Sequence, residues 1–300
     1  MFVLAHYKYI YIYIYSIGRR RLVLKLFGID ISRWQGDFNF SEAIKQGVKF
    51  VIIKGGGGDD GLYTDRQFVN NYNKALQNNL PKGCYWFSKA LSSSDAIKEA
   101  EYFYNNCLKG RQFELPVYID IENKEQLKLS KRELTNIIIE WCNYIRGKGF
   151  LPGIYSSKTY FDTYMYDNEL QPYEHWIAQW STNCTYQKDY GMWQFGGEIN
   201  KIQSNKIANV VCDQDYMLKD YPSMMKERGL NGFKREEAIP MSVKTSVNDV
   251  VKYALNEIGY LEKATNSQLD SKTANAGSNN FTKYTRDVDN SGLCDARFQG

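Results

Sequence analysis

Residues 115–122 read Leu-Pro-Val-Tyr-Ile-Asp-Ile-Glu, an apolar run that ends in two carboxylates, Asp120 and Glu122. The pattern predicts a β-strand, in which alternate side chains share a face, so both acids lie on the same face as Tyr118. Two nearby carboxylates repel each other, and one of them tends to keep its proton. Acid-catalysed bond cleavage needs such a pair, because one acid donates a proton while the other stays ionised. The alternative is that both acids simply lie at a solvated strand end.

The chain around this strand alternates between strand-like and helix-like segments. Eight apolar strand-like runs occur, at residues 25–32, 50–56, 83–88, 116–122, 152–157, 175–180, 190–195 and 210–216. Helical periodicity lies between several of them, at residues 65–79, 94–108, 130–148 and 158–167, with Ser94 and Ser130 as N-caps. Eight strands with alternating helices favour a closed, TIM-like α/β barrel over an open sheet. The short loops near the end predict an incomplete helical ring, of the (β/α)5(β)3 type, with room for an antiparallel strand.

Polar side chains gather at the predicted strand ends, where barrels of this kind carry their chemistry. The acids there are Asp30 on the first strand, Asp120 and Glu122 on the fourth, and Asp213, followed by Asp215, on the eighth. The first and last strands are neighbours in a closed barrel, so Asp30 and Asp213 should meet. Lys54 ends the second strand, where it either balances an acid's charge or is simply solvated. Acids that converge from three strands predict an acidic site at the barrel mouth.

Aromatic and amide side chains are predicted at the same rim: Tyr85, Tyr155, Trp180, Trp193 and Gln194. Each alone is more often a packing residue, but flat rings around an acidic mouth are typical of a site that stacks on sugars. The net charge of +4 is too small to indicate a nucleic-acid partner. We therefore predict a sugar-chain binding site and no nucleic-acid partner.

Cysteine and histidine content argues against several other classes of site. The six cysteines, Cys84, Cys107, Cys142, Cys184, Cys212 and Cys294, lack C-x-x-C spacing and are interpreted as reduced residues. With only His6 and His175, neither a histidine-rich metal site nor a Ser-His-Asp triad is expected, and no cofactor is predicted.

The first 25 residues do not match the rest of the chain. Their apolar stretch precedes the arginine run at 19–21, the reverse of a signal peptide, and it is too short to span a bilayer as a helix. We interpret residues 1–25 as a non-native extension, with a membrane-associated segment as the alternative. No export signal and no stable membrane partner are predicted.

The strand-end segments resemble glycoside hydrolase family 25, the lysozymes (N-acetylmuramidases) of phages and bacteria. The matching segments are FGIDIS at 27–32, VIIK at 51–54, GCYWF at 83–87, VYIDIE at 117–122, GIYS at 153–156, WIAQW at 176–180 and WQF at 193–195. The resemblance covers residues 26–222. It implies a barrel that hydrolyses the β-1,4 bond between N-acetylmuramic acid and N-acetylglucosamine in bacterial peptidoglycan, with a monomer favoured.

The resemblance also implies roles for the acids. Glu122 matches the general acid, and Asp120 matches the acid that steadies charge developing on the substrate's acetamido group and ring. Asp30 and Asp213 match supporting acids, while Lys54 and the rim residues are expected to bind substrate. Residues 211–215 read VCDQD, with Asp215 where the family commonly has Asn, so which of Asp213 and Asp215 points inward is left open.

The stereochemical outcome is open at this point. Retaining enzymes hold their two carboxyls roughly 5–5.5 Å apart and inverting ones roughly 6.5–9.5 Å. Two residues along a strand are about 6.6 Å apart at the backbone, which allows either. If the substrate's N-acetyl oxygen is the nucleophile, as the resemblance implies, net retention is expected.

The C-terminal region is expected to form separate segments. Residues 223–244 are polar and hold Gly229, Gly232 and Pro240, as is typical of a linker. Residues 245–300 resemble the start of a papain-like wall amidase or endopeptidase domain of the CHAP kind. The resemblance rests on ALNEIGY at 254–260, GSNNFTKY at 277–284 and the Cys294 dipeptide with Asp. In that family the cysteine needs a histidine base, and none follows Cys294, so we expect a truncated segment without a second activity. A retained wall-docking role is the alternative.

Two other functions stay open on the residues alone. One is a barrel that binds wall glycan without cutting it, and the other is a chitinase-like glycosidase. Chitinases typically carry a longer Asp-x-x-Asp-x-Asp-x-Glu run, whereas Pro116 and Tyr118 stand at the earlier positions here. Within the leading hypothesis we expect a phage endolysin that accumulates in the host cytoplasm and then acts at the cell wall, or a bacterial autolysin.

Overall fold

The computed structural model describes residues 25–59, 61–196 and 206–235, with five isolated positions between 255 and 271. The chain divides into two units, residues 23–237 and a second unit of residues 1–22 with 238–300. Residues 1–24 of the expected N-terminal extension lie outside the described residues. So does nearly all of the expected C-terminal segment, including Cys294.

Eight strands of the first unit close into a barrel. The described strands are β1 (Leu26–Ile31), β2 (Phe50–Gly57), β3 (Tyr63–Thr64), β4 (Lys82–Phe87), β5 (Val117–Asp120), β6 (Pro152–Ser157), β7 (Glu174–Ala178), β8 (Met192–Gly196), β9 (Lys206–Ile207), β10 (Val210–Val211) and β11 (Asp213–Met217). Their order is β1-β11-β8-β7-β6-β5-β4-β2, and pairing of β1 with β2 completes the ring. β3 extends β2 at one end, and β9 pairs only with β10. The predicted eight-stranded barrel is confirmed.

The last barrel strand runs against its neighbours. β11 is antiparallel to both β1 and β8, whereas the other barrel pairs are parallel. Its register places Asp213 opposite Asp30. Asp213 was expected near the end of a strand spanning 210–216, but it begins β11, because residues 210 and 211 belong to the β9–β10 hairpin. The start of a reversed strand lies at the same rim as the ends of parallel strands, which is why the two acids still meet.

Helices cover only part of the barrel. They are α1 (Phe40–Lys45), α2 (Phe68–Gln77), α3 (Ser93–Phe103), α4 (Lys131–Gly147), α5 (Lys158–Tyr164), α6 (Asp167–Leu170) and α7 (Tyr221–Arg228). Each of the first five barrel strands is followed by at least one helix. β7, β8 and β11 follow one another without a helix in the part of 179–212 that the structure describes.

Local sequence explains where the longer helices begin. α4 starts at a capping box in which the Ser130 hydroxyl accepts from the Glu133 N–H and Glu133 accepts in return, as predicted for Ser130. α3 is capped by Ser92, whose hydroxyl accepts from the Asp95 N–H, and not by Ser94, which lies inside the helix. The cap thus lies two residues earlier than expected.

Two apolar layers follow from the alternation of side chains along the strands. The barrel interior is filled by large side chains that include Phe50, Ile52, Tyr118, Trp176, Met192 and Met217. Their strand neighbours, such as Val51, Ile53, Ile119 and Ile177, pack outward against the helices. Tyr118 and Asp120 therefore point inward while Ile119 and Ile121 point outward, as the period of two in this strand predicted.

The barrel unit extends beyond the boundary expected at residue 222. Tyr221 and Met225 of α7 pack into the lower end of the barrel, and the Tyr221 hydroxyl donates to Glu174 at 2.6 Å. Asn231 is buried, accepts from the Leu151 N–H and donates to the Leu115 carbonyl oxygen, each at 2.6 Å. The linker prediction is therefore wrong for residues 223–235. Gly229 is the left-handed residue that ends α7, not a sign of a flexible connection.

The described residues contain neither a membrane-spanning helix nor a disulfide. No helix there is long and apolar enough to cross a lipid bilayer. The five cysteines there are free thiols, and all but Cys184 are buried.

Gly56 marks a close approach between β2 and β3. A Cβ added there would collide with the carbonyl oxygen of Tyr63 and lie 2.8 Å from the Trp86 ring. Gly56→Ala should therefore destabilise the barrel by roughly 1–3 kcal/mol and lower Tm in thermal unfolding followed by circular dichroism. Gly147→Ala, at the end of α4 with open space around the new methyl group, is the matched control and should leave Tm unchanged or slightly higher. Equal Tm values for the two variants would contradict this packing argument.

Candidate active site

An open cleft of about 330 Å³ lies at the barrel mouth, the rim formed by the C-terminal ends of the parallel strands. Its lining residues are Asp30, Ser32, Arg33, Trp34, Gln35, Lys54, Asp59, Tyr85, Phe87, Asp120, Glu122 and Asp213. The structure thus brings together the four acids predicted to be catalytic, together with Lys54 and Tyr85. They converge because β1, β5 and β11 belong to one closed barrel and carry these acids at the same rim.

Asp120 and Glu122 differ in their access to solvent. Asp120 is the last residue of β5 and is 3% exposed, whereas Glu122 lies two residues beyond the strand and is exposed. The residue between them is held by β6: the Ile121 N–H donates to the Tyr155 carbonyl oxygen at 2.9 Å, and the Ser156 hydroxyl donates to the Ile121 carbonyl oxygen at 2.6 Å. These bonds fix the backbone that carries both carboxyls.

One oxygen of Asp120 is left without a partner. Its Oδ1 atom is buried and has no hydrogen-bond partner among the described residues. A buried acceptor without a donor is costly, and native structures rarely contain one without a reason. Asp120 lines an open cleft, from which a donor of a bound substrate can approach its carboxyl group.

The pKa values of both carboxyls are raised. Burial raises the pKa of Asp120 well above its ordinary value, the nearby charge of Glu122 raises it further, and Lys54 opposes both. Glu122 is reached by solvent from the cleft, but the protein around its carboxyl still removes enough water to raise its pKa, again opposed by Lys54. Because the two groups interact, they titrate as a pair. The pair keeps one proton at pH values at which two isolated carboxyl groups would both be ionised.

A chain of hydrogen bonds holds Asp30 in place. It begins at Tyr155 and Trp180 and passes through Gln194, three residues that were predicted to bind substrate. The Tyr155 hydroxyl and the Trp180 indole N–H both donate to Gln194 Oε1, at 2.8 and 2.9 Å. The amide is thereby oriented so that Gln194 Nε2 donates to Asp30 Oδ2 at 2.9 Å. Tyr155, Trp180 and Gln194 stand behind the cleft lining, where they position Asp30.

The choice between Asp213 and Asp215 is answered by the register of β11. Both point inward, since they are two residues apart, but only Asp213 lines the cleft. Asp215 is fully buried and accepts from the Trp176 indole N–H at 2.8 Å. Burial raises the pKa of Asp30 well above its usual value, and the charges of Asp215 and Asp213 raise it further. Burial likewise raises the pKa of Asp215, so Asp30 and Asp215 form a second pair of interacting acids.

Trp193 does not lie at the cleft, contrary to the prediction. Met192 and Gln194 face the barrel interior, so Trp193 between them faces outward. There its ring lies 5.7 Å from that of Tyr216, and its N–H donates to the Gln179 carbonyl oxygen. Alternation along β8 places Trp193 and Gln194, neighbours in the WQF segment, on opposite faces of the strand.

Several cleft residues were not anticipated. Arg33 and Trp34 lie in a 3-10 turn just after β1, and Trp34 is 74% exposed. Asp59 reaches the cleft from the loop after β2 and forms an ion pair with Lys89. Phe87 ends β4. Arg33 and Trp34 directly follow the strand-end segment that carries Asp30. This position in the sequence is the feature that could have predicted them at the cleft.

No metal-binding arrangement occurs among the described residues, where no group of three or more His, Cys, Asp and Glu side chains could hold an ion. The described histidine, His175, is buried away from the cleft with Nε2 3.1 Å from Asp167 Oδ1. The side chains of the cleft can carry out acid–base chemistry through their carboxyl groups, and Lys54 lowers the pKa values of Asp120 and Glu122.

The family assignment follows from a comparison with known families. The model of glycosyl hydrolases family 25 matches residues 29–202, which include Asp30, Asp120 and Glu122. The chain belongs to this family. It is therefore a glycoside hydrolase, and the predicted family and enzyme class are confirmed.

Relatives within family 25 match the barrel. Lysozyme M1 of Streptomyces globisporus is 28% identical over 199 residues, which cover 60% of this chain and 67% of that lysozyme. The autolytic lysozyme of Clostridium acetobutylicum is 27% identical over 157 residues, 52% of this chain but only 45% of its own length. The solved structure of a muramidase from Acremonium alcalophilum has a TM-score of 0.56 at 24% identity, covering 69% of this chain and 99% of that one. This last likeness supports the fold.

Proposed function

We propose that this protein hydrolyses peptidoglycan at the β-1,4 bond between N-acetylmuramic acid and N-acetylglucosamine. The observation that carries the proposal is the pair formed by exposed Glu122 and buried Asp120, which both line the cleft and of which Asp120 has one oxygen without a partner. The names of the relatives, which are lysozymes and a muramidase, support this substrate class. Its site of action is then the bacterial cell wall.

Glu122 is the proton donor in the proposed mechanism. Its carboxyl is raised in pKa and accessible from the cleft, so it can protonate the glycosidic oxygen as the bond from that oxygen to the sugar C1 breaks. The substrate's acetamido oxygen forms a bond to C1 on the opposite face, which leaves positive charge on the acetamido group. Water, deprotonated by Glu122, then attacks C1 and releases the acetamido oxygen. Two inversions at C1 give net retention.

Asp120 stabilises the acetamido group in this scheme. Its unpartnered Oδ1 accepts the acetamido N–H, and its negative charge offsets the positive charge that develops there. In the free protein, burial favours the protonated form of Asp120. A hydrogen bond from the substrate favours the ionised form, because it stabilises the charge. Substrate binding therefore leaves the proton of the pair on Glu122, where the reaction uses it.

Lys54 sets the pH range of this pair. Activity is lost as pH rises through the higher pKa of the pair, above which both carboxyls are ionised, and as pH falls through the lower one, below which both are protonated. Lys54 lowers both pKa values, so Lys54→Met should move both limbs of the pH profile of kcat/KM to higher pH. Lys98→Met, which removes an exposed lysine paired with Asp95 on α3, should leave the profile in place. A profile that stays fixed or moves to lower pH in Lys54→Met would refute this role.

Mass spectrometry of digested peptidoglycan tests the proposed bond. Purified walls are digested and the new reducing ends are converted to alditols, so each product shows which sugar was released at its reducing end. Reduced N-acetylmuramic acid is expected. Reduced N-acetylglucosamine, or turnover of chitin without turnover of peptidoglycan, would overturn the assignment, and binding without any new reducing end would indicate a glycan-binding barrel.

The same spectra address the C-terminal segment. Residues 245–300 resemble part of a wall amidase, and we propose that Cys294 of this segment does not act as an amidase nucleophile, because residues 245–300 contain no histidine that could serve as its base. Products should therefore keep their stem peptides. Glycan fragments that have lost the peptide would contradict this.

A further inference from the structure

The positive charges around the cleft are not equivalent. Lys54 acts on Asp120 and Glu122, and Lys89 is paired with Asp59. Arg33 also lines the cleft, yet among the described residues no carboxylate lies within ion-pair distance of its guanidinium group. An arginine that stands without an acidic partner in a cleft containing Asp30, Asp120 and Glu122 has its charge available for a ligand.

The guanidinium group of Arg33 is nevertheless held in place. It lies 4.9 Å from the centre of the Trp34 ring and 5.5 Å from that of Tyr63, within cation–π range of both. The Arg33 main-chain N–H donates to Asp65 Oδ2 at 3.1 Å. The turn itself is fixed by the capping box of Ser32 and Gln35, and Gln35 Nε2 donates to the Val211 carbonyl oxygen.

This arrangement suits recognition of a carboxylate. Stacking occupies the faces of a guanidinium plane and leaves its N–H edge, which matches the two oxygens of a carboxylate. Trp34 beside it is 74% exposed and presents a large apolar ring, the kind of surface that packs on a sugar face. A surface arginine on an aromatic ring is common, but here the pair borders the cleft that binds the glycan.

We propose that Arg33 and Trp34 form a specificity subsite for the acidic muramyl unit. Trp34 packs on the sugar, and Arg33 binds a carboxylate carried by that unit, either the free lactyl carboxylate or a carboxylate of the attached stem peptide. This inference rests on the proposed peptidoglycan activity. It gives the enzyme a preference for acidic wall glycan over neutral N-acetylglucosamine polymers, which lack such a group.

The test measures wild type and Arg33 variants on two substrates, one with carboxylates and one without them. Purified peptidoglycan, stripped of phosphate-containing wall polymers, is compared with the same material whose carboxyls have been converted to amides. Arg33→Ala should lower kcat/KM on the acidic substrate about tenfold, mainly through KM, since a hydrogen-bonded charge pair contributes on this order. On the amidated substrate, wild type and Arg33→Ala should be equal. Arg33→Lys should recover only part of the loss, because lysine keeps the charge but not the planar pair of donors.

Three controls separate the possible causes. Trp34→Ala should weaken binding of both substrates, because stacking does not need the charge, and should weaken the acidic one more, because Trp34 also holds the Arg33 guanidinium. Arg228→Ala, an exposed arginine of α7 at the opposite end of the barrel, should behave as wild type on both. Strands whose stem peptides have been removed distinguish the two, because hydrolysis of the amide frees the lactyl carboxylate and takes the peptide carboxylates away.

Two results would overturn the subsite. One is an equal loss for Arg33→Ala on acidic and amidated substrates, which would mean that Arg33 only shapes the cleft. The other is a loss confined to walls that retain phosphate polymers, which would identify phosphate as the ligand. Binding of the same glycans to Glu122→Gln, with and without Arg33, gives a readout independent of turnover. Absence of reducing ends from every form of peptidoglycan would instead reject the proposed activity itself.

Discussion

Replacing Glu122 by glutamine is expected to lower kcat on purified peptidoglycan by roughly 10²–10⁴-fold, the usual contribution of a general acid. Glutamine keeps the shape of the side chain but has no proton to give to the leaving oxygen. Glu122 is exposed, so the substitution buries no new polar group. Tm should therefore not fall, and above the raised pKa of Glu122 it should rise slightly, because the ionised carboxylate that is removed costs stability there. Release of reducing ends measures the activity.

A matched control and a second substrate make this result specific. Glu125→Gln, three residues away, removes an exposed carboxylate whose partner is Lys128, and it should leave kcat unchanged. An aryl glycoside, whose phenolate leaves without protonation, should restore much of the activity of Glu122→Gln. Near-normal activity of Glu122→Gln on peptidoglycan would reject its role as the acid.

Replacing Asp120 by asparagine should lower kcat by roughly 10²–10³-fold, the range found when one electrostatic stabiliser of a transition state is removed. The amide keeps an oxygen acceptor but loses the negative charge that offsets the developing positive charge of the acetamido group. An aryl leaving group should not rescue this variant, because the lost interaction does not involve the leaving oxygen. Equal rescue of Asp120→Asn and Glu122→Gln would contradict the division of roles.

Asp120→Asn should also change stability, in the opposite direction to activity. The folded-state pKa of Asp120 is raised above its ordinary value, mainly by burial. Ionised Asp120 therefore destabilises the fold, fully so above the raised pKa and not at all below the ordinary one. At pH above the raised value Tm of Asp120→Asn should equal or exceed that of wild type, and any gain should vanish in acid. A lower Tm at high pH would show that Asp120 stabilises the fold.

The parts of the site that follow a strand period were predictable. Alternation along β5 put Tyr118 and Asp120 inward and Ile119 outward, and the strand count brought acids from separate strands to one rim. Alternation along β8 also accounts for the outward position of Trp193. The face to which each of these side chains points depends on its position relative to residues nearby in the chain, and that position can be read from the sequence.

Features that depend on distant partners were not predictable. The reversed direction of β11 is set by its pairing with β1 and β8, and no local residue encodes it. The same holds for the bonds from Tyr155 and Trp180 through Gln194 to Asp30, which join three separate strands and a loop. Residues 223–235 resemble a linker because Gly229 and Gly232, which follow α7, are typical of flexible sequence, whereas the contacts of α7 with the lower barrel decide the structure there.

The reversed final strand has a further consequence for how the barrel is connected to other sequence. The chain enters at Leu26 and leaves β11 at Met217, and these residues are paired at the end opposite the cleft. In a barrel with all strands parallel, the chain would leave the last strand at the rim that holds the catalytic acids. Here both attachment points lie at the far end. Because α7 packs on the lower barrel beyond Met217, an affinity handle or a wall-anchoring module should be attached before Leu26 or after residue 235, where its tether does not cross the entrance that a glycan strand must use.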